Sequence, residues 1–324
     1  MRSLSIGKYR GLQQCATSRG ALAVLALDHR NSLHKALKLD ASAPETGTII
    51  TALKRQIVEI VGPAATALLL DPIYGAAQVV AAGALPREVG LTVALEASGY
   101  TGTPAARDSQ VLPGWSVAQA KRMGASAVKL LVYYHPDSPT AGAIQELVRQ
   151  VAEACDQYDI AFFLETLSYS LDPSLPRLRG DELRRVVIET AAQLTPLGAD
   201  VLKTEFPVEA KADPGGATWA EACAELSGAS VIPWILLSAG VDYETYLRQT
   251  VVACQSGASG VAAGRAIWQE VTALTGEERL SFLKEIAYPR MARITSLCDA
   301  LARPWTDLLS PVEISSEWYQ VYPQ

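Results

Sequence analysis

The chain has few of the residues that build metal sites and disulfide frameworks. It contains three histidines, His29, His34 and His135, too few and too scattered to favour a zinc-dependent enzyme. Its five cysteines are odd in number, widely spaced and free of CxxC pairs. They are expected to be reduced cytosolic thiols. We therefore expect no metal, no cofactor and a cytoplasmic location.

Excess positive charge and long apolar runs are also lacking. Lysine and arginine number 28 against 34 acidic residues, a net charge of −6 that is unlike the basic footprint of a nucleic-acid or polybasic membrane-surface protein. The most apolar segment, residues 64–85, is interrupted by Asp71, Pro72 and two glycines. No apolar signal core follows Met1. The expected partner is a small molecule, not nucleic acid or membrane.

Short apolar segments recur at the spacing of βα units. Eight of them are predicted strands: 22–28, 67–71, 92–96, 127–132, 161–167, 201–205, 233–238 and 260–263. Amphipathic helical stretches separate most of them, which indicates a parallel sheet covered on both faces. Eight units favour a closed (β/α)8 TIM barrel. The alternative is an open doubly wound sheet, which would need a glycine-rich loop where this chain has Asp28-His29-Arg30.

The sequence predicts a single (β/α)8 domain over residues 1–324, because it contains no linker or low-complexity segment. An N-terminal helix before Ala21 is predicted to cap the bottom of the barrel. A C-terminal helical extension starts at Tyr288 and ends in a Pro/Trp/Tyr-rich tail. This extension is expected either to cover the barrel or to contact a second subunit.

Lys203 stands at the end of an apolar strand, a rare place for lysine. Burial and a nearby cation lower the pKa of a lysine and free its nucleophilic lone pair. Lys203 is therefore a candidate for Schiff-base formation with a carbonyl substrate. The alternative is a structural ion pair, with Glu205 as one possible partner.

Other ionisable residues lie near the C-terminal ends of predicted strands, where such barrels carry their active sites. They are Asp28, Glu96, Lys129 and Glu165. In the catalytic interpretation, Lys129 lowers the pKa of Lys203, Glu165 transfers protons, and Asp28 orients a lysine or a substrate hydroxyl. The alternative for Lys129 and Asp28 is a buried ion pair without a catalytic role.

The last two strands end in small residues, and an arginine follows those of the eighth strand. Ser238-Ala239-Gly240 and Gly264-Arg265 would let backbone N–H groups and a guanidinium approach an anion. The loops after strands seven and eight are the usual phosphate site of this barrel. The alternative is ordinary turn chemistry, with Arg265 in a surface salt bridge.

Taken together, these motifs resemble the class I tagatose-1,6-bisphosphate aldolase family, which includes sulfofructose-phosphate aldolases. The resemblance covers nearly the whole chain and is carried by residues 25–30, 69–75, 94–100, 124–134, 163–165, 200–207, 237–241 and 263–266. It implies a (β/α)8 fold and a homo-oligomer. It also implies a Schiff base on Lys203, with Glu165 as general acid/base and with Lys129 and Asp28 in support.

The resemblance further implies how the substrate is held. The 1-phosphate would be bound by Ser238, Ala239, Gly240, Gly264 and Arg265. Arg30 would lie near the far end of the sugar, where a 6-phosphate or 6-sulfonate sits.

One position departs from the family pattern, which has Asp-Gln-Arg where this chain has Asp28-His29-Arg30. His29 is expected to contact substrate. A histidine charged near neutral pH would favour an anion there. The alternative is that it packs behind Arg30.

The predicted reaction is the reversible cleavage of a ketose 1-phosphate to dihydroxyacetone phosphate and an aldehyde. The candidate substrates are tagatose or fructose 1,6-bisphosphate and 6-deoxy-6-sulfofructose 1-phosphate. The alternatives are a regulatory homologue that binds a sugar phosphate without turnover, and a zinc-dependent aldolase on the same barrel.

Overall fold

A closed parallel barrel forms the centre of the computed structural model, which describes residues 1–40 and 42–322. Each barrel strand pairs in parallel with the next one along the chain, and the last pairs with the first. This closure confirms the (β/α)8 prediction and excludes the open sheet. The barrel strands are β1 (Leu22–Leu27), β2 (Ala67–Leu70), β3 (Gly90–Ala94), β4 (Ala127–Tyr133), β5 (Ala161–Leu167), β6 (Val201–Thr204), β7 (Trp234–Leu237) and β8 (Gly260–Ala263).

Helices alternate with the strands and surround them. They are α1 (Ile6–Gln14), α2 (Asn31–Leu37), α3 (Thr46–Val61), α4 (Ala76–Ala81), α5 (Val117–Arg122), α6 (Ala141–Gln157), α7 (Gly180–Leu194), α8 (Trp219–Ala229), α9 (Tyr243–Gln255), α10 (Arg265–Trp268), α11 (Gly276–Phe282), α12 (Tyr288–Leu301) and α13 (Trp318–Val321). Short 3-10 helices span Gly62–Ala64, Thr195–Leu197, Gln269–Thr272 and Trp305–Asp307, and a π-helical turn spans Leu283–Ala287. Within the described residues, no helix has the length and apolar character needed to cross a membrane.

The strand side chains divide between two apolar cores. Side chains such as Val24, Leu69 and Phe163 point into the barrel, whereas their sequence neighbours pack outward against the helices. This alternation follows from the two-residue period of a strand. The predicted strands match the observed ones to within two residues. The differences have simple causes: β7 starts at Trp234, for example, because the preceding Pro233 has no N–H to donate.

The N-terminal helix closes the bottom of the barrel, as predicted. Leu12 of α1 is fully buried in the inner core. Gly11 makes this close approach possible, since a Cβ atom at that position would lie 2.2 Å from the carbonyl oxygen of Ser126. Trp305, which follows the last long helix, completes the same core.

The C-terminal extension covers the barrel. Helix α12 contributes buried residues, among them Met291 and Ile294, to the outer core. The chain then pairs Leu309–Pro311 in parallel with Arg2–Leu4. The other expectation, a contact between this extension and a second subunit, stays a prediction.

Candidate active site

A cavity of about 450 Å³ opens at the C-terminal end of the barrel. It is lined by all but two of the residues predicted to form the site: Asp28, His29, Arg30, Glu165, Lys203, Ser238, Ala239, Gly264 and Arg265. The two others, Lys129 and Gly240, each lie beside one of these residues. Its size is typical of a small-molecule site.

Lys203 forms an ion pair with Glu165 on the adjacent strand. The two residues are direct partners in the β5–β6 register, and Lys203 Nζ lies 2.7 Å from Glu165 Oε2. Lys203 is buried, with 4% of its surface exposed. Glu205, the partner considered for a structural pair, instead accepts hydrogen bonds from the backbone N–H and hydroxyl of Ser168. The interpretation that paired Lys203 with Glu205 was therefore wrong.

Lys129 lies under the cavity and touches three carboxylates. Its Nζ is 2.6 Å from Asp28 Oδ2, 2.5 Å from Glu96 Oε1 and 3.0 Å from Glu165 Oε2. Burial alone would lower the pKa of Lys129, but the three carboxylates outweigh it and raise that pKa well above the usual value. Lys129 is thus a permanent cation. Because Glu165 stands between the two amines, the predicted effect of Lys129 on Lys203 stays a prediction.

The neighbouring ammonium groups hold Asp28 and Glu165 ionised. Burial would raise the pKa of Asp28, yet the ammonium groups of Lys129 and Lys203 outweigh burial and keep that pKa below its usual range. The same two cations lower the pKa of Glu165 against the effect of burial. Two ammonium groups therefore face three carboxylates at the base of the cavity, and the pairing satisfies charges that would otherwise be costly to bury.

Glu96 is a member of this cluster to which sequence reasoning assigned no role. Its Oε1 accepts a hydrogen bond from Lys129, and its Oε2 accepts one of 3.0 Å from the Leu131 N–H. Its carbonyl oxygen accepts a 2.5 Å hydrogen bond from Arg30. The only sequence signal was a charged residue just beyond an apolar strand. Its contact with Lys129 follows from the register that pairs Ala94 with that lysine.

The loops after β7 and β8 form a small polar pocket. Residues 238–240 and 264–265 of these loops are called here the phosphate loop, after the role that the sequence predicts for them. The Gly264 N–H donates a 3.3 Å hydrogen bond to Ser238 Oγ. Gly240 has φ of +75°, and a Cβ atom there would lie 3.1 Å from the Arg265 guanidinium carbon. Arg265 makes no ion pair with any described residue, so the interpretation of a surface salt bridge was wrong. Its guanidinium is left available for an anion.

His29 and Arg30 point in different directions. Arg30 turns toward Glu96, whereas the His29 ring packs against Trp268 and Gly264, so His29 does not pack behind Arg30. Burial is the main cause that lowers the pKa of His29, to about 4. The contact of His29 with an anion, and a positive charge on its ring beside that anion, stay predictions.

The cavity is also lined by residues that sequence reasoning missed. Asn31, Ser32 and Lys35 line it from α2, and Ser98 and Tyr133 line it from the segments after β3 and in β4. Lys35 adds an exposed cation near Arg30. No sequence signal identified it, because it lies on a helix and not at a strand end.

Comparison with known proteins assigns the family. A model of the DeoC/LacD family of aldolases matches residues 22–270. The chain belongs to this family. It is accordingly a carbon–carbon lyase.

Relatives with assigned names match over nearly full length. Tagatose 1,6-diphosphate aldolase 2 of Streptococcus mutans serotype c is 31% identical over 330 residues, which cover 95% of this chain and 99% of that protein. Tagatose 1,6-diphosphate aldolase of Listeria monocytogenes serotype 4a is also 31% identical, with 94% and 95% covered.

Solved aldolase structures share the fold. A Schiff-base-forming fructose-1,6-bisphosphate aldolase superposes with a TM-score of 0.56 at 18% identity, over 89% of this chain and 98% of that one. Fructose-bisphosphate aldolase from Plasmodium falciparum gives a TM-score of 0.67 at 14% identity, over 93% and 98%. At these identities the likeness supports the barrel architecture.

Proposed function

We propose that this aldolase is a class I enzyme that reversibly cleaves a ketose 1,6-bisphosphate to dihydroxyacetone phosphate and an aldehyde phosphate. Lys203 is the Schiff-base residue. The observation that carries the proposal is the position of Glu165, whose carboxylate contacts both Lys203 and the permanent cation Lys129 at the base of the cavity. A nucleophilic amine, a proton carrier and a fixed charge are the parts that this chemistry needs.

Bond formation starts when neutral Lys203 attacks the C2 carbonyl of the ketose. Glu165 is 2.7 Å from the amine and takes part in the proton transfers that convert the carbinolamine, with loss of water, to the iminium. Removal of the C4 hydroxyl proton then breaks the C3–C4 bond. The electrons collapse into an enamine, and the aldehyde leaves. Protonation and hydrolysis of the enamine release dihydroxyacetone phosphate.

The basicity of Glu165 changes during this cycle. In the resting site both lysine ammonium groups lower the pKa of Glu165. When the Lys203 nitrogen becomes uncharged, as in the free amine, carbinolamine and enamine, one of those cations disappears. The pKa of Glu165 rises and the group becomes a better proton acceptor. Lys129 keeps its charge throughout, because Asp28 and Glu96 remain bound to it.

The cationic side chains that line the cavity favour a substrate with two anionic groups. The phosphate loop supplies Arg265, Ser238 and a backbone N–H for one of these groups. Arg30 and Lys35 also line the cavity and would bind the second group. Two cations favour a phosphate dianion over a sulfonate monoanion. The names of the relatives point to tagatose 1,6-bisphosphate, so we propose a ketose bisphosphate before 6-deoxy-6-sulfofructose 1-phosphate.

The proposal also covers the location of the enzyme in the cell and its oligomeric state. All five cysteines are free and buried, which fits the cytoplasmic location that we propose. We also propose that the enzyme is a homo-oligomer.

The experiment is a cleavage assay on tagatose and fructose 1,6-bisphosphate and 6-deoxy-6-sulfofructose 1-phosphate, with wild type and Lys203→Met. Wild type should cleave at least one bisphosphate, and Lys203→Met should lose at least about a thousandfold in kcat, since a covalent route is removed. Lys211→Met is the matched control, because Lys211 is exposed and should keep full activity. An active Lys203→Met enzyme would refute the assignment. Binding without cleavage across the panel would favour a regulatory homologue.

A further inference from the structure

The His29 ring is held against the phosphate loop by two rigid neighbours. Its ring centroid is 5.1 Å from that of Trp268, with the rings edge to face. Trp268 is itself fixed, since its Nε1 donates a 3.1 Å hydrogen bond to the Ala26 carbonyl. On another side, a Cβ atom at Gly264 would lie only 3.2 Å from His29 Cε1. The imidazole therefore lies beside Gly264, on the side from which Ser238 Oγ also approaches this residue.

The imidazole has unused hydrogen-bonding capacity. His29 Nδ1 is buried and has no hydrogen-bond partner among the described residues. The nearest carboxylate oxygen, Asp28 Oδ1, is 3.9 Å away, which is too far for a hydrogen bond. His29 also lines the cavity. A buried polar atom without a partner is costly, so a ligand that supplied one would be favoured here.

The charges that face His29 come from several elements. Asp28 favours the protonated ring, whereas Arg265 of α10, Lys203 of β6 and Lys54 of α3 disfavour it. Burial acts with the three cations, and together they lower the pKa of His29 to about 4. A phosphate dianion bound beside Gly264 would add negative charge where cations now prevail.

We propose that His29 is the charge-sensing residue of the phosphate loop: its imidazole is neutral in the free enzyme and takes up a proton when the substrate's phosphate dianion binds. The imidazolium then donates a hydrogen bond to the phosphate. The proton comes from solvent, or from the monoanionic form of the phosphate, and it returns when the ligand leaves. This inference rests on the proposed function, since it requires the phosphate to occupy that loop.

Proton uptake on binding makes the ligand affinity depend on pH in a defined direction. If the bound complex holds the His29 proton more tightly than the free enzyme, affinity rises as pH falls from 8 toward 5. Each unit by which binding raises the His29 pKa permits at most a tenfold gain in affinity. The gain is lost as pH rises through the pKa of the complex. A glutamine at this position keeps hydrogen-bonding ability but cannot take up a proton.

Nuclear magnetic resonance of the histidine side chains tests the inference directly, because the chain has only three histidines. Full-length protein with labelled histidines is titrated from pH 8 to 5, alone and saturated with glycerol 3-phosphate. That ligand has no carbonyl and cannot form a Schiff base, so only phosphate binding is probed. His29→Gln identifies the His29 signal. If that variant does not fold, His34→Gln and His135→Gln identify it by elimination.

The expected result is a neutral His29 signal throughout the titration of free enzyme, and a titration midpoint more than two units higher in the complex. A second readout is affinity for glycerol 3-phosphate by calorimetry at pH 8 and pH 5.5. The ratio of wild-type to His29→Gln affinity should be larger at pH 5.5 by about fivefold or more. His34→Gln is the matched control and should follow wild type.

Three outcomes would overturn the inference, and they separate it from the proposed function. If glycerol 3-phosphate binds, Arg265→Ala abolishes binding and the His29 midpoint does not move, the phosphate loop stands and the inference fails. If the ligand binds equally well to Arg265→Ala, the phosphate site itself is wrong. If glycerol 3-phosphate does not bind even at high concentration, both the inference and the proposed phosphate site are contradicted.

Discussion

At the scale of single residues, the site is organised by one buried cation that touches three carboxylates. Lys129 has no exposed surface and its ammonium group is the common partner of Asp28, Glu96 and Glu165. Lys203 shares only Glu165 with this cluster. Two lysines of similar sequence context therefore have different roles: Lys129 is a fixed charge, and Lys203 is the group that we propose becomes neutral and attacks.

Replacing Lys129 with methionine should destabilise the protein at neutral pH. The change would leave buried carboxylates without their cation, which typically costs about 3–5 kcal/mol. Lys129 now lowers the pKa values of Asp28 and Glu165, so its stabilisation is present above the unfolded-state pKa of about 4 and is lost as pH falls further. The stability gap between wild type and variant should therefore stay at its full size from pH 7 to about pH 5 and narrow as pH falls below about 4. Urea denaturation at several pH values measures this.

The control for that experiment is Lys284→Met, which removes an exposed lysine and should leave stability within about 0.5 kcal/mol of wild type at every pH. A Lys129→Met protein as stable as wild type at pH 7 would contradict the picture of a cation that compensates buried carboxylates.

At the scale of elements, the strand ends and the loops that follow them build the site. Much of this was predictable, because continuous apolar segments mark buried strands and parallel strands bring their C-terminal ends together. The pairing of Lys203 with Glu165 was not, since it depends on the β5–β6 register. The position of His29 could not be predicted from the sequence either. Trp268 and Gly264, which fix it, belong to the last unit of the barrel. The helix α2 residues that line the cavity carried no signal in the sequence.

The loop after β7 gives a prediction at this scale. Gly240 adopts φ of +75°, and atoms of the Arg265 guanidinium would lie 3.1–3.3 Å from a Cβ atom placed there. Gly240→Ala should cost about 1–2 kcal/mol of stability, because a side chain disfavours this conformation. It should also displace Arg265 and raise KM for the phosphorylated substrate more than it lowers kcat. Steady-state kinetics and thermal unfolding provide the two measurements.

Gly142→Ala is the matched control for Gly240→Ala. Gly142 lies in α6 with open space around its Cβ position, so the change should be neutral or stabilising by up to about 1 kcal/mol and should leave KM unaltered. An unchanged KM in Gly240→Ala would show that the loop does not position Arg265 for the substrate.

At the scale of the whole molecule, the two ends of the barrel have separate tasks. The top carries the cavity, and the bottom is closed by the N-terminal segment and by the chain around Trp305. Buried Asp200 at the bottom is bound by Arg2 and by Lys8, whose Nζ lies 3.3 Å from Asp200 Oδ2. The single-domain expectation from the lack of linkers agrees with this arrangement, but the ion cluster at the bottom was invisible in the sequence.

Lys8→Met tests the closure of the barrel bottom. Burial raises the pKa of Asp200 more than Lys8 and Arg2 lower it, so ionised Asp200 already costs stability above its folded pKa. Without Lys8 that cost grows, and the loss at pH 7 should reach roughly 3 kcal/mol. It should shrink as pH falls through the raised pKa of Asp200 and the carboxylate takes up a proton. Arg10→Met, an exposed change on the same helix, is the control. Equal stability of Lys8→Met and wild type at pH 7 would rule out this account of the closure.

The central claim, that Lys203 forms the Schiff base, is tested most directly by trapping. The enzyme is incubated with dihydroxyacetone phosphate, reduced with borohydride and analysed by peptide mass spectrometry. We predict one reduced adduct, on Lys203, and none on Lys129, which its carboxylate partners keep protonated. An adduct on another lysine, or no adduct on folded protein, would contradict it.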